Sequence, residues 1–278
     1  MLFRSTDRWR EDFLVCAARI LGVEVDHELG VVEYDGRRTL VTARPISVDP
    51  AEFAEFAESA DVREKERGLK EIPGERLIVR VDRTDPSKNI VRGFQALELY
   101  LERRPEAHGR VTMLALLDPS RQNIPHYATY LAEIQSAARA VNRRFGSAEW
   151  QPVVLEIRDD FPKSLAAYKH YDVLLVNAIF DGMNLVAKEA PLINERDGVL
   201  VLSENTGACD ELGEWSVVVN PFDVVGQADA LHAALELPPA DRRARIEGIR
   251  THVREHDIES WLRTQLADLD AVSAVARS

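Results

Sequence analysis

The sequence predicts a doubly wound α/β fold with a parallel sheet, and two observations carry that prediction. Six near-continuous apolar runs recur at LIVRVD (77–82), VTMLALLD (111–118), PVVLEI (152–157), VLLVN (173–177), GVLVLS (198–203) and WSVVVN (215–220). Between them, helical spacing appears at 89–104, 125–145, 162–170, 184–193 and 224–237. Strands without polar alternation are buried on both faces, as in a parallel sheet covered by helices.

The flanking segments read differently. Residues 9–22 place Trp9, Phe13, Cys16, Ala17 and Ile20 on one helical stripe, with Gly22 where a C-terminal cap belongs. Asp35-Gly36 lies between two strand-like runs and predicts a tight hairpin at 31–44. Residues 49–69 are helical and charged until Pro73-Gly74 breaks the pattern, which puts a domain boundary near residue 72. Residues 240–275 read as closing helices with Trp261, Leu262, Leu266 and Leu269 as an apolar stripe. Two domains are expected, 1–71 and 72–278.

The 278 residues suffice for a real core, and 45% hydrophobic with 29% charged residues excludes a disordered chain. A net charge of -12 argues against a nucleic-acid surface, which needs a basic footprint. A small anion stays open, because a few arginines and a helix N-terminus can hold a phosphate inside an acidic protein. The two cysteines, Cys16 and Cys209, lack metal or redox spacing and are expected to be buried and reduced. No apolar stretch reads as a signal peptide or a membrane span, so a cytoplasmic protein is expected.

In a doubly wound sheet, ligands bind beyond the carboxyl ends of the strands, so the loops there are where chemistry is sought. Arg83 and Lys88 lie within one short loop after the first run and can reach one diphosphate, or belong to a solvated turn with incidental charges. Arg121 stands just past the second run. Asp159 and Asp160 invite a metal reading, but no further ligand spacing lies nearby, and a charged turn is preferred. After the fourth run, Asp181-Gly182 turns and a helix is expected from Met183 or Asn184. Its free N–H groups form an anion site, with Glu189 placed to accept ribose hydroxyls; an ordinary N-cap explains the same residues. The chain has neither GxGxxG after its first strand nor a P-loop, which leaves dinucleotide and P-loop binding without support.

Taken in order, these residues form a recognisable set: RxDxxK at 83–88, Ser120-Arg121, DGMNLVAKE at 181–189, GVLVLSxxxGAxxEL at 198–212 and VNPFD at 219–223. Over nearly its whole length the chain resembles the trehalose-6-phosphate synthase family of retaining GT-B glycosyltransferases. The resemblance implies two Rossmann-like halves across a cleft, with this chain carrying the C-terminal, nucleotide-sugar-binding half at 72–278 and the tail of the N-terminal half at 1–71. It further implies that Arg83 and Lys88 hold the donor diphosphate and act in catalysis, and that Asp181 contacts the transferred sugar. Gly182, Met183, Asn184, Leu185 and Val186 line the donor, Glu189 holds ribose, Phe161 lines the nucleotide pocket, and Arg121 meets the acceptor phosphate.

The implied reaction moves glucose from a nucleoside diphosphate glucose to glucose 6-phosphate, with no cofactor and no metal. Related acceptors are a cyclitol or glycerol phosphate; a non-catalytic nucleotide-sugar-binding subunit is a further reading. The family's glycine-rich loop and acceptor-binding residues, roughly two hundred residues, have no counterpart here. The chain is expected to be a fragment, a split-gene product or a domain that needs a separate polypeptide to supply that half, and apolar surface is expected around Trp9, Phe13 and Leu14.

Overall fold

The computed structural model describes residues 2–3 and 6–275. The six runs form six strands: β1 (Arg76–Arg83), β2 (Val111–Asp118), β3 (Val153–Ile157), β4 (Val173–Val176), β5 (Val199–Ser203) and β6 (Val217–Val219). All pairings are parallel, in the order β6-β5-β4-β1-β2-β3. The chain winds outward from β1 in one direction and then, from β4, in the other. The doubly wound α/β fold is therefore the one the apolar runs predict.

Helices α1 (Ile90–Arg103), α2 (Pro125–Phe145), α3 (Phe161–His170), α4 (Val186–Ile193), α5 (Gly207–Leu212) and α6 (Val224–Glu236) follow the strands in turn. On one face Phe94, Leu97, Ile134 and Leu231 bury themselves against Ile78, Met113, Leu175 and Val201. Strand periodicity sends Leu174 and Leu200 to the other face, where α3 and α4 pack.

Three local departures have clear causes. The segment 49–69 is two helices, Pro50–Ala57 and Ala60–Leu69, because Ser59 takes an extended conformation and its hydroxyl caps the second at the Val62 N–H. Helix α5 is too short to show a periodic pattern in the sequence. Helix α4 starts at Val186, later than expected, because Asn184 adopts a left-handed φ of 73° and cannot continue a helix.

The compact units divide elsewhere than at residue 72. One unit comprises residues 50–253; the other joins residues up to 49 with those from 254 onward. Helices Pro50–Ala57 and Ala60–Leu69 go with the sheet because they pack on α3 and α4, burying Phe53, Ala57, Val62 and Leu69.

In the smaller unit, helix Asp7–Leu21 ends on left-handed Gly22 as predicted. Strands Val31–Tyr34 and Arg37–Leu40 pair antiparallel across Asp35-Gly36, both at positive φ, which is the expected hairpin. Leu14 is fully buried with Ala17, Val32 and Val41, contrary to the expectation of an uncovered face there, because the hairpin covers it. The exposed apolar residues of this helix are instead Ile20 and Leu21. Cys16 is exposed and Cys209 partly exposed, not buried, since Cys16 falls outside the stripe that Leu14 and Ala17 define. In helix Ile258–Val275 the stripe does not form a core: Leu262, Leu266 and Leu269 are exposed, while Trp261 donates to the Arg44 carbonyl at 2.9 Å.

Packing at Gly198 sets a testable limit. An added Cβ there would lie 2.1 Å from the Tyr171 ring and 2.7 Å from its carbonyl oxygen. Gly198→Ala is expected to destabilise the protein by about 2 kcal/mol, read as a lowered midpoint in chemical denaturation.

Candidate functional site

The winding reverses between β1 and β4, and a crevice opens where the chain leaves adjacent strands toward opposite faces. Lys88 and Asp181–Leu185 lie in the loops after those two strands, with Arg83 at the end of β1 and Val186 and Glu189 in the first turn of α4; Arg121 and Phe161 follow β2 and β3. The loops after β1 and β4 are joined by backbone and side chain: Ile179 N–H donates to the Ser87 carbonyl at 2.8 Å, and Lys88 Nζ donates to Asp181 Oδ2 at 2.5 Å. Beneath them, the buried Asn89 amide donates to the carbonyls of Asn177 and Pro221, while the Asn177 amide donates to Gln227.

A cavity of about 290 Å³ lies at this point, lined by Arg83, Lys88, Phe161, Val186 and Glu189, together with Asp82, Asp118, Asp159, Ser164 and Tyr168. Five of the expected residues thus share one wall system. Asp181 joins them through Lys88. It is stitched to the loop after β5, its N–H donating to the Asn205 carbonyl and its carbonyl accepting from Gly207. Met183 and Asn184 are buried, the Asn184 amide donating to Asp181 at 3.2 Å, and Gly182 is exposed. Leu185 is the N-cap of α4; the Ala187 N–H bonds to Asn184 and the Glu189 N–H to Leu185. The amino end of α4, with its positive dipole, thereby presents Val186 to the cavity.

Arg121 is not part of this lining. At a left-handed φ of 47° it turns its guanidinium onto Tyr127, donating to the hydroxyl at 2.9 Å; that hydroxyl in turn reaches Asp85 at 3.4 Å. Although burial opposes it, the Asp85 carboxyl is held below its ordinary value by the Ser87 hydrogen bonds and the charges of Arg83 and Arg121. Phe161, 46% exposed, meets Phe53 and Phe56 edge to face at 6.4 and 5.8 Å.

The sequence reading missed Asp82, Asp118 and Tyr168. Burial pushes Asp82 up, outweighing Arg80 and Lys88, and burial with repulsion from Asp159 pushes Asp118 up. Asp82 is the penultimate residue of β1, next to Arg83, and Asp118 is the last of β2, and those positions at strand ends were the available signal. Tyr168 donates to Glu189 Oε2 at 3.4 Å, yet burial still raises Glu189 to about 7. Lys188 of the same segment faces away from the cavity, 1% exposed and ion-paired to Glu211 at 2.9 Å.

A second cavity of about 260 Å³ lies near the amino end of β1, lined in part by Glu66, Glu75, Arg76, His170 and Arg196. Most of its charges are paired: Glu66 with Lys169 and His170, Glu75 with Arg110, and Arg76 and Arg196 with Asp172, while Lys70 is exposed. Glu66, His170 and Glu195 converge closely enough for a metal, but Lys169 Nζ already stands 3.2 Å from Glu66 and 3.1 Å from Glu195.

The model for glycosyltransferase family 20 matches residues 3–271. The chain belongs to that family. It is 36% identical over 263 residues to an Arabidopsis thaliana probable alpha,alpha-trehalose-phosphate synthase [UDP-forming], covering 94% of this chain and 32% of that protein. Identity is 35% over 269 residues to a validamine 7-phosphate valienyltransferase of Streptomyces hygroscopicus subsp. jinggangensis, covering 95% of this chain and 52% of that protein. The E. coli structure solved with UDP-2-fluoro glucose bound superposes with a TM-score of 0.87 at 29% identity, covering 96% of this chain and 60% of that one. This family 20 chain thus spans about a third to a half of the curated relatives' length. Among the described residues no helix is long and apolar enough to cross a membrane.

Glu189 yields a pH prediction. Its carboxyl titrates near 7 when folded against 4.5 ordinarily, so between those values the folded state binds more protons than the unfolded chain. Stability is therefore expected to fall as pH rises from about 4.5 to 7, by up to about 3 kcal/mol, and to level off above. Glu189→Gln should flatten that slope in urea denaturation at pH 5 and pH 7.5; an unchanged slope would contradict the assignment.

Proposed function

We propose that this chain binds UDP-glucose in the cleft between the β1 and β4 loops and, with further polypeptide supplying the acceptor side, transfers glucose to glucose 6-phosphate with retention, forming trehalose 6-phosphate. The observation that carries the proposal is that Arg83, Lys88 and Glu189 line one cavity at the winding reversal, with Lys88 held against Asp181. The UDP-forming synthase relative supports the donor and product.

In this reading Arg83 and Lys88 meet the diphosphate. As the glycosidic bond breaks, negative charge grows on the departing oxygens, and cations already in place lower the barrier without reorganising. No metal is needed for that neutralisation. Asp181 contacts the transferred sugar, Glu189 accepts from ribose hydroxyls, the amino end of α4 adds its dipole, and Phe161 borders the nucleotide. Arg121, outside the cavity, is free of the donor and suited to an acceptor phosphate. The reaction runs in the cytoplasm, where its phosphorylated substrates are retained.

Calorimetry with UDP-glucose tests the donor site: the chain should bind, and Arg83→Ala or Lys88→Ala should each weaken binding at least about tenfold. Absence of binding by the unaltered chain would overturn the proposal. The valienyltransferase relative favours a second reading, a cyclitol phosphate acceptor. Once the acceptor side is supplied, a panel of phosphorylated acceptors separates the two: turnover with glucose 6-phosphate is expected, and turnover with a cyclitol phosphate alone would select the second.

A further inference from the structure

In the middle of β1, among Ile78, Val79 and Val81, stands a fully buried arginine. Arg80 donates through Nε and Nη2 to Asp82 Oδ2 at 3.0 and 2.8 Å, two residues along the same face of the strand. Nη2 also donates to the Lys88 carbonyl at 3.0 Å and Nη1 to the Ile90 carbonyl at 3.4 Å. One guanidinium therefore grips the chain on both sides of Asn89, the left-handed residue at φ 58° that joins the short turn Pro86–Lys88 to α1.

Room for that guanidinium is provided by a glycine. A Cβ at Gly93 would lie 2.2 Å from Arg80 Nη1. Glycine weakens a helix interior, so its presence in α1 answers to the arginine rather than to the helix. A buried ion pair is also a poor way to stabilise a strand, since apolar residues of similar volume commonly do as well or better. The arrangement makes sense as a clamp on Lys88: an unbranched side chain with many rotamers aims reproducibly only if its backbone is fixed. Asp82 completes the link, because it lines the cleft beside Lys88.

We infer, resting on the functional reading above, that Arg80 is a positioning residue, seated by Gly93, that holds Lys88 in place for a nucleoside diphosphate. Arg80 touches no ligand itself. Its effect is specific to the phosphates that Lys88 reaches and does not extend to the nucleoside.

Two substitutions and their combination test this. Arg80→Met removes the clamp; Gly93→Ala keeps the buried charge and improves the helix but denies the guanidinium its seat, so it does not depend on tolerating a lone buried carboxylate. UDP binding is measured by calorimetry and uridine binding by NMR titration. Each single change should weaken UDP about tenfold and leave uridine within about twofold, and the double variant should bind UDP no more weakly than Arg80→Met. UDP affinity retained in either variant, uridine weakened in step with UDP, or additive losses in the double variant would overturn the inference. If the unaltered chain fails to bind UDP, the functional reading falls and takes the inference with it, an outcome visible before any substitution is made.

Discussion

The ion pair between Lys88 and Asp181 closes the one place where the sheet leaves a gap. Because β1 and β4 are neighbours whose following segments depart in opposite directions, their loops would otherwise separate. Lys88 and Asp181, the Ile179–Ser87 backbone bond and the Asn89–Asn177–Gln227 network hold them together.

The cavity's charge is a matter of local geometry. Arg83 and Lys88 stand among Asp82, Asp118, Asp159 and Glu189 in a chain of net charge -12, so no broad positive field draws an anion in. Burial makes Asp82 and Asp118 hold their protons more tightly, and Glu189 is poised near neutrality. For the proposed donor, this divides the work: cations and the amino end of α4 face phosphates, while carboxyls of mixed protonation can accept from or donate to hydroxyls.

Much of this was legible in the residues. The strand runs, the hairpin at Asp35-Gly36 and the Gly22 cap follow from periodicity and backbone preference, which act locally. Arg83, Lys88 and Glu189 were legible because position after a strand fixes which end of the sheet they occupy. Arg80 was not. Within LIVRVD it reads as an interruption of an apolar run, and only the approach of Asp82, the Lys88 carbonyl and the space over Gly93 explains it. Leu14 was misjudged for the same reason, since the hairpin that covers it is distant in sequence.

From the sequence alone came the parallel doubly wound sheet, five of the residues that border the cavity at its winding reversal and the family to which the chain belongs, because burial on both faces and short motifs leave direct traces in residue order. Tertiary structure alone decided that Lys88 meets Asp181, that Arg121 turns away to Tyr127, that helices 50–69 belong with the sheet, and that Glu189 titrates near 7. Apart from Arg121, which meets a tyrosine only six residues on through a left-handed turn, those outcomes depend on distance and desolvation between segments separated in the chain, quantities that residue order does not encode locally.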